Sequence, residues 1–164
     1  MMTRRAFGKV VGAVAAAGST PTNLFASAAP PPAASEQLCD LSAIELVAGI
    51  RKREVSARDV MTAHLARIER VNSKVNAIVT LVAERALTDA AGADEMQAKG
   101  RTLGPLHGLP VAHKDLVDTA GIRTTRGSPF YRDNVPTRDA LIVSRIRAAG
   151  AVTLGKTNTP EFGA

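Results

Sequence analysis

Gly104-Pro-Leu-His-Gly-Leu-Pro-Val-Ala-His-Lys-Asp115 is the stretch on which the reading of this chain turns. Gly104-Pro105, Gly108 and Pro110 punctuate it as turns and deliver a short apolar strand, Leu109 to Ala112, that runs out onto Lys114-Asp115. A lysine at the end of such a strand is a candidate for burial. Removing water disfavours the ammonium and lowers its pKa from about 10.4 toward the range of a working base. Period-two alternation puts Ala112 on the face of Lys114 and turns the ring of His113 to the other. The same residues also fit a plainer arrangement, a strand-end lysine paired with Asp115 or Asp118.

Working outward, a turn at Thr119-Ala-Gly121 leads into an irregular stretch, 124–137, holding Gly127, Pro129 and Pro136. Asp139 to Ala149 then reads as a helix, with Leu141, Ile142 and Ile146 on one side and Gly150 as its stop. Ala151-Val-Thr-Leu-Gly155 is a second short strand. Strand, crossover helix and strand make a βαβ unit, for which parallel strands and a right-handed crossover are expected. The last strand should need sheet neighbours from elsewhere, and without them an apolar edge stays uncovered and the monomer is poorly stable.

Upstream, Ser42-Ala-Ile-Glu45 is a capping box, with Ile44, Val47 and Ile50 following at helical spacing. A second helix starts at Ser56-Ala-Arg-Asp59 and runs to about Asn72, with Val60, Met61, Leu65, Ile68 and Val71 on its apolar face. Residues 76–82 form a short apolar bridge that fits either a strand or a helix turn. Ala83 to Lys99 is Ala-rich and helical despite Gly92, and Gly100 ends it.

Composition narrows the function classes. Of 164 residues 45% are apolar but only 3% aromatic, so a core must be built from Ala, Val, Leu and Ile. The net charge of +6 falls to +3 once Arg4, Arg5 and Lys9 are set aside, and the remaining basic residues are interspersed with acids. That pattern, with few aromatics to stack on bases, argues against a nucleic-acid partner. Cys39 is the single cysteine, so no intrachain disulfide can form, and it reads as an incidental or buried thiol. His64, His107 and His113 show no metal-ligand spacing, and neither a metal nor a cofactor is expected.

The first residues read as an export leader. Thr3-Arg4-Arg5-Ala6-Phe7-Gly8-Lys9 has the paired arginines, phenylalanine and basic residue of the twin-arginine pattern. Val10 to Gly18 is mildly apolar and shorter than the roughly 20 residues that span a bilayer, so no stable membrane span is expected. Ala26-Ser27-Ala28 offers a small-residue cleavage site. The expected organisation is a leader at 1–28, a Pro/Ala-rich linker at 29–37 and one folded region at 38–164. The location that follows is periplasmic or secreted.

With Leu154-Gly-Lys-Thr-Asn-Thr-Pro-Glu-Phe-Gly163, the Gly104–Asp115 stretch resembles the amidase signature family of serine hydrolases. The resemblance runs from about Leu38 to Ala164. It implies an α/β fold with a mixed β-sheet covered by helices, of which this chain carries the N-terminal part. It also implies a Ser–cis-Ser–Lys triad with Lys114 as its lysine and a small-molecule amide as substrate. Asp115 is expected to accept hydrogen bonds that fix the loop, and Ser128 to be a turn serine. Gly127-Ser128 and Lys156-Thr-Asn158 are expected to be scaffold for the cleft. The Gly- and Ser-rich segment that holds both serines in the family does not occur in these 164 residues, so the chain alone is not expected to hydrolyse amides. Two alternatives accompany this reading: the glutamine-hydrolysing amidotransferase of A type, and a non-catalytic exported binding module.

Overall fold

The structure, a computed structural model, describes residues 36–101 and 104–164. The twin-arginine pattern, the cleavage site and the linker up to residue 35 lie outside the described residues. Residues 36–38 are helical. There follow α1 (Ala43–Lys52), α2 (Ala57–Val75), β1 (Ile78–Leu81), α3 (Ala83–Ala98), β2 (Pro110–Lys114), a 3₁₀ turn (Pro129–Tyr131), α4 (Leu141–Ala148), β3 (Val152–Thr157) and a 3₁₀ turn (Glu161–Gly163).

The predicted capping box at Ser42 forms, and the helix start read at Ser56 proves to be a second one. The Ser42 and Ser56 hydroxyls accept the amides of Glu45 and Asp59, whose carboxylates accept the serine amides in return. Each satisfies donors that a helix start leaves orphaned, a contribution of about 1 kcal/mol. Helix α2 runs one turn past the expected stop and ends on Asn76, whose φ of 48° suits the left-handed cap.

The faces differ from the expected ones at two helices. On α1, Leu46 and Ile50 are buried while Ile44 is 83% exposed. Two residues along a helix is about 200° around it, so burying the Leu46–Ile50 face turns Ile44 outward. On α4 the buried residue is Val143, while Leu141 and Ile142 are exposed. That helix begins two residues later than expected, since Asp139 spends its carboxylate on the Ala120 amide and Arg147 instead of starting a turn.

Ile50, Val60 and Met61 are fully buried against Ala86 and Ala90 of α3 and against Leu109, Val152 and Leu154. Burying such side chains stabilises by about 1.5–3 kcal/mol each. The alanines let α3 lie close to α2 and β3, which answers the shortage of large residues.

The sheet has the order β1-β3-β2, with β3 parallel to β2 and antiparallel to β1. It is the mixed, helix-covered sheet that the family resemblance implied. The expectation of an uncovered β3 is overturned: the ambiguous 76–82 segment is the strand that pairs with it, so β3 is central. Gly155 makes that pairing possible. A Cβ there would lie 2.2 Å from Thr80 O, inside any allowed contact. The open edges among the described residues belong to β1 and β2.

Candidate active site

Two lysines come to the C-terminal end of the parallel pair β2–β3, and the structure treats them in opposite ways. In register, His113 faces Lys156 and Lys114 faces Thr157. Neighbouring strand residues point to opposite faces, so the two lysine side chains leave the sheet on opposite sides.

Lys156 is fully buried. Its Nζ donates to Val117 O, to Thr119 Oγ1 at 2.9 Å and to Thr124 Oγ1 at 3.0 Å. Both threonine hydroxyls send their own protons elsewhere, to Val117 O and Ile122 O, so each offers the lysine only a lone pair. The three protons of the ammonium are thereby all used. Burial lowers the pKa of Lys156, and the charges of Asp115, Asp118 and Asp139 counter it.

Lys114 ends β2 and is exposed. The desolvation expected of it falls on Lys156 instead. The physical reason is position in the sheet: β2 is an edge strand whose end nothing covers among the described residues, whereas Lys156 lies inside the central strand. No carboxylate of the described residues comes within ion-pair distance of Lys114, so the plainer pairing with Asp115 or Asp118 does not form either.

Asp115 behaves as expected. It is buried, and its carboxylate accepts the amide and the hydroxyl of Thr125. Its amide donates to Thr157 O at 2.9 Å, its carbonyl accepts from Arg126 N at 2.8 Å, and Val117 N donates to Lys114 O at 2.9 Å. The chain leaving Lys114 is thus fastened to β3 on one side and to the 124–126 segment on the other.

His113 points the other way, buried, with Nε2 3.3 Å from Thr153 Oγ1. Burial, then the positive charges of Lys156 and Arg147, lower its pKa. His64 Nδ1 and His107 Nε2 donate to the carbonyls of Val60 and Ala93. No three His, Cys, Asp or Glu groups gather around a metal-sized site among the described residues.

Ser128 caps the first 3₁₀ turn, its Oγ accepting from Phe130 N, which is the turn role expected of it. Gly127 beside it has φ 70° and passes under the 159–160 peptide, where a Cβ would sit 2.8 Å from Pro160 O. The Arg126 guanidinium lies 4.8 Å from the Tyr131 ring centroid and reaches Asp118 at 3.3 Å. Asn158 ties the end of β3 to the α2–β1 corner, donating from Nδ2 to Asn76 O and from its amide to Ala77 O. The two motifs read as scaffold do surround the lysine end of the sheet. Lys156, read as part of that scaffold, is the group whose chemistry the sequence analysis missed. Its apolar strand, Val152 to Leu154, was the available signal.

Residues 59–164 match the family model described as Amidase. The chain belongs to the amidase family. Over 123 residues it is 42% identical to an acylamidase of Rhodococcus erythropolis, covering 75% of this chain and 26% of that one. Over 118 residues it is 48% identical to the A-type subunit of glutamyl-tRNA(Gln) amidotransferase from Methylococcus capsulatus, covering 72% and 24%. The solved structure of a peptide amidase from Stenotrophomonas maltophilia superposes with a TM-score of 0.73 at 34% identity, covering 77% of this chain and 26% of that one. The chain therefore spans about a quarter of the length of the relatives it matches.

Proposed function

We propose that this amidase-family chain contributes Lys114 as the general base of a hydrolase acting on the carboxamide C–N bonds of small molecules. The lysine, neutral when desolvated, takes a proton from a bridging serine in a cis peptide bond, which in turn takes one from the nucleophilic serine. The nucleophile attacks the amide carbonyl, the amine leaves with a proton, and water releases the acyl group. Both serines must come from polypeptide laid over the open end of β2, and the same covering would desolvate Lys114. The observation that carries this reading is the contrast between the two lysines. Lys156, itself fully buried, has committed all three ammonium protons, to two buried threonine hydroxyls and the half-buried Val117 carbonyl, whereas Lys114 presents its amine freely at the sheet end.

The test uses this chain continued through the serine segment of the Rhodococcus erythropolis acylamidase. Lys114→Ala should lower kcat by orders of magnitude with an unchanged circular dichroism spectrum. Lys114→Arg should be nearly as damaging, because a guanidinium stays protonated. His113→Ala should be mild, since its ring lies on the other face. Near-normal turnover by Lys114→Arg would end the assignment.

A second reading, glutamine hydrolysis by an amidotransferase of A type, draws support from the 48% identity to the Methylococcus capsulatus protein. The twin-arginine pattern favours the exported amidase, because that relative's name ties it to transfer RNA, a cytosolic substrate. Among the described residues no helix is long and apolar enough to cross a membrane. Replacing Arg4 and Arg5 together by Lys keeps the charge and removes the guanidinium pair. Periplasmic accumulation should then fall sharply, and unaltered accumulation would remove the export proposal.

A further inference from the structure

Lys156 is a buried cation that the proposed reaction does not use, and its three acceptors all lie on the loop that follows Lys114. One of them closes a circuit. Val117 gives its carbonyl to Lys156 and its amide to Lys114 O. The Lys114–Val117 turn is therefore gripped on both sides of a single residue, and one grip is a charge-assisted bond from a fully buried ammonium, the stronger kind. The other two acceptors, Thr119 and Thr124, are fully buried and bracket the 119–124 turn, so the ammonium draws both arms of that loop onto β3.

We propose that Lys156 is a positioning residue that holds the 117–124 loop against β3 and so sets the direction in which Lys114 leaves β2. It touches no reacting atom in this scheme and acts only through Val117 and the backbone of Lys114. A buried lysine suits the task better than an apolar residue. Three acceptors from three chain positions converge on one atom; without it the Thr119 and Thr124 lone pairs aimed at Nζ lose their donor, and Val117 O keeps only the Thr119 hydroxyl. The inference rests on the reading of Lys114 as the base.

The test has two arms. In the 164-residue chain, hydrogen exchange of the Val117 amide is followed by NMR in Lys156→Met, Thr119→Val and Thr124→Val, with Ala90 and Val60 amides as core references. Lys156→Met should speed Val117 exchange by at least about 100-fold relative to the references, as loss of a charged hydrogen-bond donor implies. The two threonine variants remove one acceptor each and should give smaller increases. They keep the test decisive if Lys156→Met fails to fold. In the serine-completed protein, Lys156→Met and the threonine variants should lower kcat at least ten-fold while KM changes less than about two-fold.

Val117 protection as strong in all three variants as in the parent would overturn the grip. Faster Val117 exchange with unchanged kcat would overturn the positioning role while leaving Lys114 as base. Full activity in Lys114→Ala would instead sink the reading of the base, and with it the positioning role.

Discussion

Asp115→Ala tests whether the loop after Lys114 is held by its buried carboxylate. That carboxylate is 1% exposed and accepts two bonds from Thr125, from the amide at 3.1 Å and from the hydroxyl. Hydrogen bonds to a charged group contribute about 1.5–3 kcal/mol each, and an amide left buried without a partner costs about 1–3 kcal/mol. Deletion also relieves the expense of keeping a carboxylate out of water, several kcal/mol in itself. Thr125 Oγ1 still accepts from Gly127 N at 3.2 Å, so the hydroxyl keeps a partner. Weighing these, Asp115→Ala should cost about 2–4 kcal/mol. Asp115→Asn keeps an acceptor for the amide and should cost roughly half as much. With an m value of about 2 kcal/mol/M, the alanine variant should lower the urea midpoint by about 1–2 M. Far-UV circular dichroism of the 164-residue chain in a urea series reads this directly. A shift below about 0.3 M would mean that the backbone bonds of residue 115 hold the loop alone and that the carboxylate argument is wrong.

Two glycines should respond oppositely to alanine. Gly155→Ala drives a Cβ to 2.2 Å from Thr80 O and must push β1 off β3, costing at least about 1–3 kcal/mol in thermal or urea unfolding. Gly92→Ala meets nothing within 4 Å inside α3 and should stabilise by about 0.5–1 kcal/mol. His113 supplies a pH test. Its pKa is lowered from 6.5, so below that pH the unfolded chain binds a proton that the folded chain resists. Stability should therefore fall as pH drops from 6.5 toward the lowered value, by up to about 1.36 kcal/mol per unit. His113→Leu should lose this dependence, and parallel stability–pH curves for the two proteins would refute it.

Local signals were legible without the fold. The serine–acid pairs at 42–45 and 56–59 start helices because an orphaned amide and a nearby oxygen meet within one turn, whatever the rest of the chain does. The βαβ order followed from short-range punctuation around Lys114 and Lys156, and the family from the resemblance carried by the Gly104–Asp115 and Leu154–Gly163 stretches. Asp115, one residue from the strand end, could be read as an acceptor for the same reason. What needed tertiary structure was the environment of each side chain. Burial depends on which strand is central, and that was decided when 76–82 paired with β3 across a long stretch of intervening chain. That pairing, with the 117–124 loop folded over the other face, made Lys156 the buried lysine and left Lys114 at an edge. Both lysines follow apolar strand residues, so sequence alone could not rank them. Desolvation is a property of what lies across a strand, not of what lies along it.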